Sequence, residues 1–307
     1  MNIQLHSINA QAAENPAVFI RHTNQEYLNR LSEIADDIEL HREKTPIILL
    51  SGPSGSGKTT SALMIEKILD SRGIETHTLS LDNYFSPLTE QEKKLFAEGK
   101  LDLESPKRID SEFLTAQLRE IYHCRPIELP IYNFRESTRV RSGKILHRKP
   151  GELVILEGIH SLNPDIIDFK DSRTAKIYVS VRTRIRNHSV ELHPSKIRLM
   201  RRLVRDSLFR KRSFTDTIKM FHSVEAGENK YIMPYKYRST YDVDTFMAYD
   251  ICAYRNFLLE ELQRMPVNPI TEDMIDFLEH TAPIRTEEIT PDSLICEFIG
   301  NGQFCYE

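Results

Sequence analysis

Gly52-Pro-Ser-Gly-Ser-Gly-Lys58-Thr59 has the spacing G-x-x-x-x-G-K-[ST]. Glycines so placed let successive backbone N–H groups turn inward around phosphate oxygens. A helix opening behind them adds the positive end of its dipole. Lys58 would then reach the β- and γ-phosphates of a nucleoside triphosphate, and the Thr59 hydroxyl would hold Mg²⁺. Gly52, Ser54, Gly55, Ser56, Gly57, Thr59 and Thr60 complete the candidate phosphate ligands. Glycine is otherwise scarce, and three of the 11 in the chain fall within six positions here. The bland alternative is a Gly/Ser-rich turn before a helix. Two further acids favour the phosphate reading: Asp82 follows Thr78-Leu-Ser-Leu81, and Glu157 follows Val154-Ile-Leu156. An acid beyond the carboxyl end of a parallel strand can coordinate Mg²⁺ or orient an attacking hydroxyl.

Such residues need elements to hold them. Pro46–Ser51 is a short apolar run, the signature of a buried parallel strand, and Thr59–Leu69 reads as a helix closed by Gly73. Strands are predicted over Glu75–Leu81, Glu152–Leu156, Ala175–Val181 and Val243–Ala248, and a hairpin over Ile127–Ile145. Helices are predicted within Leu101–Leu118, over Pro194–Phe209 and over Tyr249–Met265. Ahead of the first strand, Thr23-Asn-Gln-Glu26 has the form of a capping box, and the apolar spacing behind it predicts a helix to about His41. Strands alternating with helices predict an α/β fold with a parallel sheet. Three regions are expected: an N-terminal helical segment (1–44), the main domain (45–265) and a Pro-punctuated C-terminal extension (266–307). The apolar Ser293–Ile299 segment should dock on the main domain, with Gly300 ending it.

With 307 residues, 40% hydrophobic and 28% charged, the chain has the composition of a globular protein. A net charge of −4 argues against a protein built to coat nucleic acid or an anionic membrane. No run of 18 apolar residues suggests a membrane span, and Met1–Ala13 lacks a signal-peptide core. Cys124, Cys252, Cys296 and Cys305 form no metal-binding spacing, so a reducing, cytoplasmic compartment is expected. A GTPase is disfavoured, because Asn229-Lys-Tyr-Ile232 lacks the acid that would read guanine. Residues 196–212 hold eight Lys/Arg and one acid. Arg198, Arg201, Arg202 and Arg205 share a helical face. Three readings compete: a solvated face, a nucleic-acid contact, or a lid over the nucleotide. The phosphate loop and the negative net charge favour the lid. Tyr132 and Phe134 alternate along a strand and so face one side. His160 is read as structural.

Several stretches occur in one order: Gly52–Thr60, Leu79-Ser-Leu-Asp-Asn-Tyr-Phe85, Glu104-Ser-Pro106, Pro130-Ile-Tyr-Asn-Phe134, Val154-Ile-Leu-Glu-Gly-Ile-His160, Arg202-Leu-Val-Arg-Asp206, Arg210-Lys-Arg212 and Gly227-Glu-Asn-Lys-Tyr-Ile232. This series resembles the uridine–cytidine kinase branch of the phosphoribulokinase/uridine kinase family, over about residues 46–250. The flanks resemble the kinase portion of longer bacterial chains that carry a threonyl-tRNA-synthetase-like region ahead of it. The resemblance implies a P-loop kinase fold with ATP and Mg²⁺, and a nucleoside as phosphate acceptor. Asp82 would take the proton of the 5′-hydroxyl, with Tyr84 nearby, and Glu157 would be the Mg²⁺ acid. Glu104 would bind the ribose hydroxyls, and Tyr132 and Phe134 would wall the base. Arg202, Arg205, Arg210 and Arg212 match lid and substrate-side arginines. Ser137 stands where the family has a base-reading histidine, Lys211 where it has a lid glycine, and Met220 where it has a glutamine. A homo-oligomer is compatible with the family, and no nucleic-acid partner is implied. Two alternatives stay open: a kinase of another small alcohol, and a non-catalytic nucleotide- or RNA-binding regulator.

Overall fold

The computed structural model describes residues 1–169 and 171–306. The chain opens with strand β1 (Asn2–Gln4) and helices α1 (Leu5–Glu14) and α2 (Pro16–His41). Strand β2 (Ile47–Ser51) runs through the glycine segment into α3 (Lys58–Ser71). Next come β3 (Thr76–Ser80), α4 (Glu90–Ala97), α5 (Ser111–Tyr122) and the hairpin of β4 (Ile127–Asn133) and β5 (Thr138–Leu146). Strands β6 (Leu153–Glu157), β7 (Thr174–Ser180), β8 (Arg184–Asn187) and β9 (Val190–Leu192) precede α6 (Pro194–Phe209) and α7 (Phe214–Tyr231). The chain closes with β10 (Tyr241–Asp244), α8 (Asp250–Gln263), α9 (Glu272–Glu279) and α10 (Cys296–Ile299).

Five parallel strands form the central sheet in the order β3-β6-β2-β7-β10. The apolar runs of β2 and β6 are continuous because both faces of the sheet are covered. Ile48 and Leu50 point into one core, Ile47 and Leu49 into the other. The first core takes side chains from α1, α2, α3, α6, α8, α9 and the C-terminal segment; the second takes them from α5 and the foot of the hairpin. Strand β2 lies at the centre, between two strands that follow it in the chain. Its carboxyl end therefore opens at the crevice where open α/β sheets bind ligands.

Several elements differ from the sequence expectation, and β1, α1, α4, β8, β9 and α9 are not anticipated there at all. Helix α2 starts at Pro16, where Asn15 caps it by accepting from the Val18 N–H at 3.1 Å. Thr23 and Asn24, read as a capping box, lie buried within α2, and Asn24 donates to Thr290 Oγ1 at 3.1 Å. The polar signal there is a tertiary contact. Strand β1 pairs in parallel with β8, and β8 with β9, in a small separate sheet. Strand β10 ends at Asp244, whose carboxylate accepts from the Arg182 N–H and the Thr183 hydroxyl. Helix α7, which has no counterpart among the predicted elements, packs on α6. Helix α6 has the predicted bounds. In the C-terminal segment Leu294, Ile295 and Phe298 enter the first core, and Gly300 follows at φ +83°. Among the described residues no helix is long and apolar enough to cross a membrane.

Candidate active site

The phosphate loop is fixed by close approach. A Cβ on Gly52 would lie 2.0 Å from the Val179 carbonyl oxygen of β7, so only glycine lets the loop settle on the sheet. Gly57 takes φ +81° and caps α3, whose first N–H groups face the cradle. Within the cradle the Ser56 hydroxyl is buried without a partner among the described residues, and Lys58 Nζ donates to the Pro53 carbonyl at 3.1 Å. Free donors of this kind fit a phosphate. Thr60 differs: its N–H and hydroxyl both donate to the Glu297 carboxylate of the C-terminal segment, at 3.3 and 2.6 Å. As the structure stands, Thr60 has no free donor for a cofactor.

The basic helix beneath the loop is not a solvated face: Arg198, Arg201 and Arg202 are all buried. Arg198 donates to the Ser54 carbonyl at 3.2 Å, Arg202 to the Ser54 hydroxyl at 2.6 Å and Arg201 to the Gly55 carbonyl at 3.3 Å. Their charges are met by acids remote in sequence. Arg198 pairs with Glu228 at 2.7 Å, and the fully buried Arg201 with Asp250 at 2.6 Å. These contacts hold the loop from below. Further along, Arg205, Arg210 and Arg212 gather round Asp206 at 3.1, 3.4 and 3.1 Å. Burial works against the charge of Asp206, but Arg205, Arg202, Arg210 and Arg212 outweigh it and hold its carboxyl below the ordinary range. Lys211, between two of these arginines, takes φ +52°, which explains why a glycine suits that position.

Among the described residues three carboxyls lie within the field of Lys58: Asp82, Glu104 and Glu157. Glu157 ends β6, and burial pushes its carboxyl up to about 7, with Lys58 pulling the other way and Asp82 adding to the rise. Asp82 stands in the 3-10 turn Leu81–Tyr84 that follows β3. Its side chain keeps solvent contact at the cleft, yet the surrounding protein mass desolvates it and pushes its carboxyl up, against Lys58 and Arg210. Glu104 is half-buried and raised for the same reason, opposed by Arg202 and Lys58. A Cβ on Gly227 of α7 would lie 2.4 Å from the Glu104 Cβ, so that glycine makes room for it. Acids crowded round so little positive charge suit a divalent cation, for which Thr59, Glu157 and Asp82 offer oxygens.

Beside the acids lies a cavity of about 310 Å³, lined by Phe85, Leu88, Phe96, Leu103, Arg108, Tyr132, Phe134, Ser137 and Arg212. Phe85, Tyr132 and Phe134 meet edge-to-face, with ring centroids 5.1–5.9 Å apart. Asn83 accepts from the Tyr132 N–H at 3.1 Å, which ties the hairpin to the turn carrying Asp82. Arg108 donates to the Tyr132 hydroxyl at 3.2 Å. Ser137 reaches the cavity from a left-handed position, φ +53°. Tyr84 does not reach it: the side chain is buried in the second core and its hydroxyl donates to Gln117 at 2.8 Å. The neighbouring Phe85, which the sequence reading passed over, lines the cavity instead; one step round a 3-10 turn separates the two directions. His160 is buried with Nε2 2.8 Å from the Glu104 carbonyl, and burial pushes it down to about 4, so it is a neutral support.

A phosphate cradle on β2, acids at the ends of β3 and β6, and a pocket for a small acceptor next to them make this a P-loop kinase architecture. Residues 47–251 match the model of the Phosphoribulokinase / Uridine kinase family, and the chain belongs to that family. The uridine kinase of Lactobacillus helveticus (strain DPC 4571) is 35% identical over 198 residues, which cover 63% of this chain and 83% of that protein. The mouse "Uridine-cytidine kinase-like 1" is 30% identical over 187 residues, 60% of this chain and 31% of that one. The solved structure of a proposed fructose transport system kinase from Silicibacter sp. TM1040 shares the fold, with a TM-score of 0.52 at 16% identity over 69% of this chain and 98% of that chain.

Proposed function

We propose that the protein transfers the γ-phosphoryl group of ATP to the 5′-hydroxyl of a nucleoside of the uridine or cytidine class. The observation that carries this is the three-ring pocket tied through Asn83 to the turn that holds Asp82. Aromatic faces bind a nucleobase by stacking, worth about 1–3 kcal/mol per base. Glu104, at the mouth of the same cleft, would hold the ribose hydroxyls. The curated uridine kinases among the relatives support the same reading.

In this reading the phosphate loop and Lys58 grip the triphosphate. Mg²⁺, held by Thr59, Glu157 and Asp82, would neutralise charge on the phosphates. Asp82 aligns the acceptor hydroxyl. An aspartate of ordinary pKa near 4 is too weak to ionise an alcohol beforehand. The upward push on Asp82 makes it a better acceptor, and it takes the proton as the new O–P bond forms and the bond to ADP breaks. Arg205, Arg210 and Arg212 would release part of their hold on Asp206 to meet the phosphoryl group in flight. Arg202, bonded to Ser54 and within the field of Glu104, joins the donor and acceptor halves. The burial of Arg198, Arg201 and Arg202 leaves the nucleic-acid reading with little exposed basic surface on α6.

The test is product formation from Mg-ATP with uridine, cytidine, a purine nucleoside, free sugars and sugar phosphates. Nucleoside monophosphate and ADP should appear in equal amounts. Asp82→Asn should lower kcat by about 10²–10⁴-fold and raise the KM for ATP by far less, because Thr59 and Glu157 still hold Mg²⁺. Transfer to a sugar phosphate alone, or an Asp82→Asn variant that loses only ATP binding, would overturn the assignment.

A further inference from the structure

The C-terminal segment beyond the family match reaches into the nucleotide site. Helix α3 is capped by Gly57, so the N–H groups of Lys58, Thr59 and Thr60 have no acceptor within the helix; the ladder begins with Ser61 bonding to Gly57. Those first-turn donors are what a phosphate loop offers its ligand. Glu297 has taken one of them: its carboxylate accepts from the Thr60 N–H at 3.3 Å and from the Thr60 hydroxyl at 2.6 Å. The Tyr306 phenol lies 3.2 Å from the same hydroxyl. The contact is anchored along its length. Leu294, Ile295 and Phe298 are buried in the first core, and the Arg201 guanidinium stacks 5.2 Å from the Phe298 ring. Lys67 donates to Gln303 at 2.5 Å. A Leu294 methyl lies 2.9 Å from where a Cβ on Gly57 would sit, so this side chain roofs the loop.

We propose that Glu297 is a built-in occupant of the nucleotide site, and that the C-terminal segment thereby sets how tightly the protein binds nucleotide. The proposal rests on the phosphate loop being the ATP site. A carboxylate at a helix N-terminus is stabilised by the same dipole and N–H donors that stabilise a phosphate. A phosphate arriving at the Thr60 N–H must displace it or lie against its charge. Because Glu297 belongs to the same chain, its local concentration is fixed by the tether and does not dilute.

The test is titration of the full chain with ADP and Mg²⁺, which reads nucleotide binding without an acceptor. Glu297→Gln keeps the shape and removes the charge; Glu297→Ala removes both. Each should bind ADP about tenfold more tightly than the parent, a change of about 1.4 kcal/mol. The KM for ATP should fall by a similar factor with kcat little altered. Tyr306→Phe should have a smaller effect in the same direction. Thermal unfolding without nucleotide establishes that each variant is folded, and the isosteric Gln variant carries the test if the Ala variant is not. Unchanged ADP affinity in Glu297→Gln overturns the proposal. So does weaker affinity, which would make Glu297 part of the nucleotide's own support. Tighter ADP binding in a protein that phosphorylates no nucleoside would leave this inference standing and remove the acceptor reading instead.

Discussion

The two halves of the cleft are built from different materials. On the donor side, Gly52, Gly55, Ser56 and Gly57 are buried, and the loop is held by backbone contact with β7 and by three buried arginines. On the acceptor side, Phe134 is 62% exposed and Phe96 52%, and the hairpin that carries part of the pocket is a two-stranded sheet of its own. Phosphate is the same in every nucleotide, so its cradle can be fixed at the depth of a core. A pocket lined partly by hairpin side chains such as Phe134 can change residue by residue without disturbing that core. Ser137, in the turn between β4 and β5 and lining the cavity, is a position where such a change can be made.

The sharpest break in this comparison should come from Lys58→Ala. Losing a cation that meets the transferring phosphoryl group costs on the order of 10³–10⁵ in kcat. Phosphoryl transfer to uridine, followed by ADP release, would read it; a near-normal rate would mean that the loop is not the donor site. Arg201→Met should come next and should appear in stability. It leaves Asp250 buried without its partner, a loss of about 3–5 kcal/mol, read from the urea midpoint. An unmoved midpoint would show that the loop does not depend on the core beneath it. Ser137→His should do least. A histidine tolerates the left-handed backbone better than most residues, and its ring would add a polar edge to the pocket. The ratio of kcat/KM values among uridine, cytidine and a purine nucleoside should shift by about tenfold, with ADP affinity unmoved. A ratio that stays put would place Ser137 outside the base contact.

The donor side was legible in the sequence because its signals are local: an apolar run, a glycine spacing and a helix follow one another within about 25 positions. Helix α6 was legible in its bounds but not in its burial. The contacts of its arginines could not be read there because their partners, Glu228 and Asp250, sit far along the chain. The Thr23–Glu26 pattern misled for the converse reason, since residues suited to a helix cap were serving contacts with Thr290 and the Tyr249 hydroxyl. Tyr84 and Phe85 could not be told apart, because a 3-10 turn changes side-chain direction by more than a strand or helix pattern encodes. Glu297 gave no signal at all: one acid in a short apolar segment becomes informative only once the chain has folded back on α3.

The pairing of β1 with β8 also orders events in time. Asn2 lies opposite Arg184, so the first strand leaves the ribosome long before its partner exists. At ordinary elongation rates the interval is on the order of ten seconds or more. Through that interval Leu5 and Ile8 of α1 lack the cover that β8 gives them, while α2 can already pack on α3. The small β1-β8-β9 sheet is therefore a seam that closes only after more than half of the chain has been made.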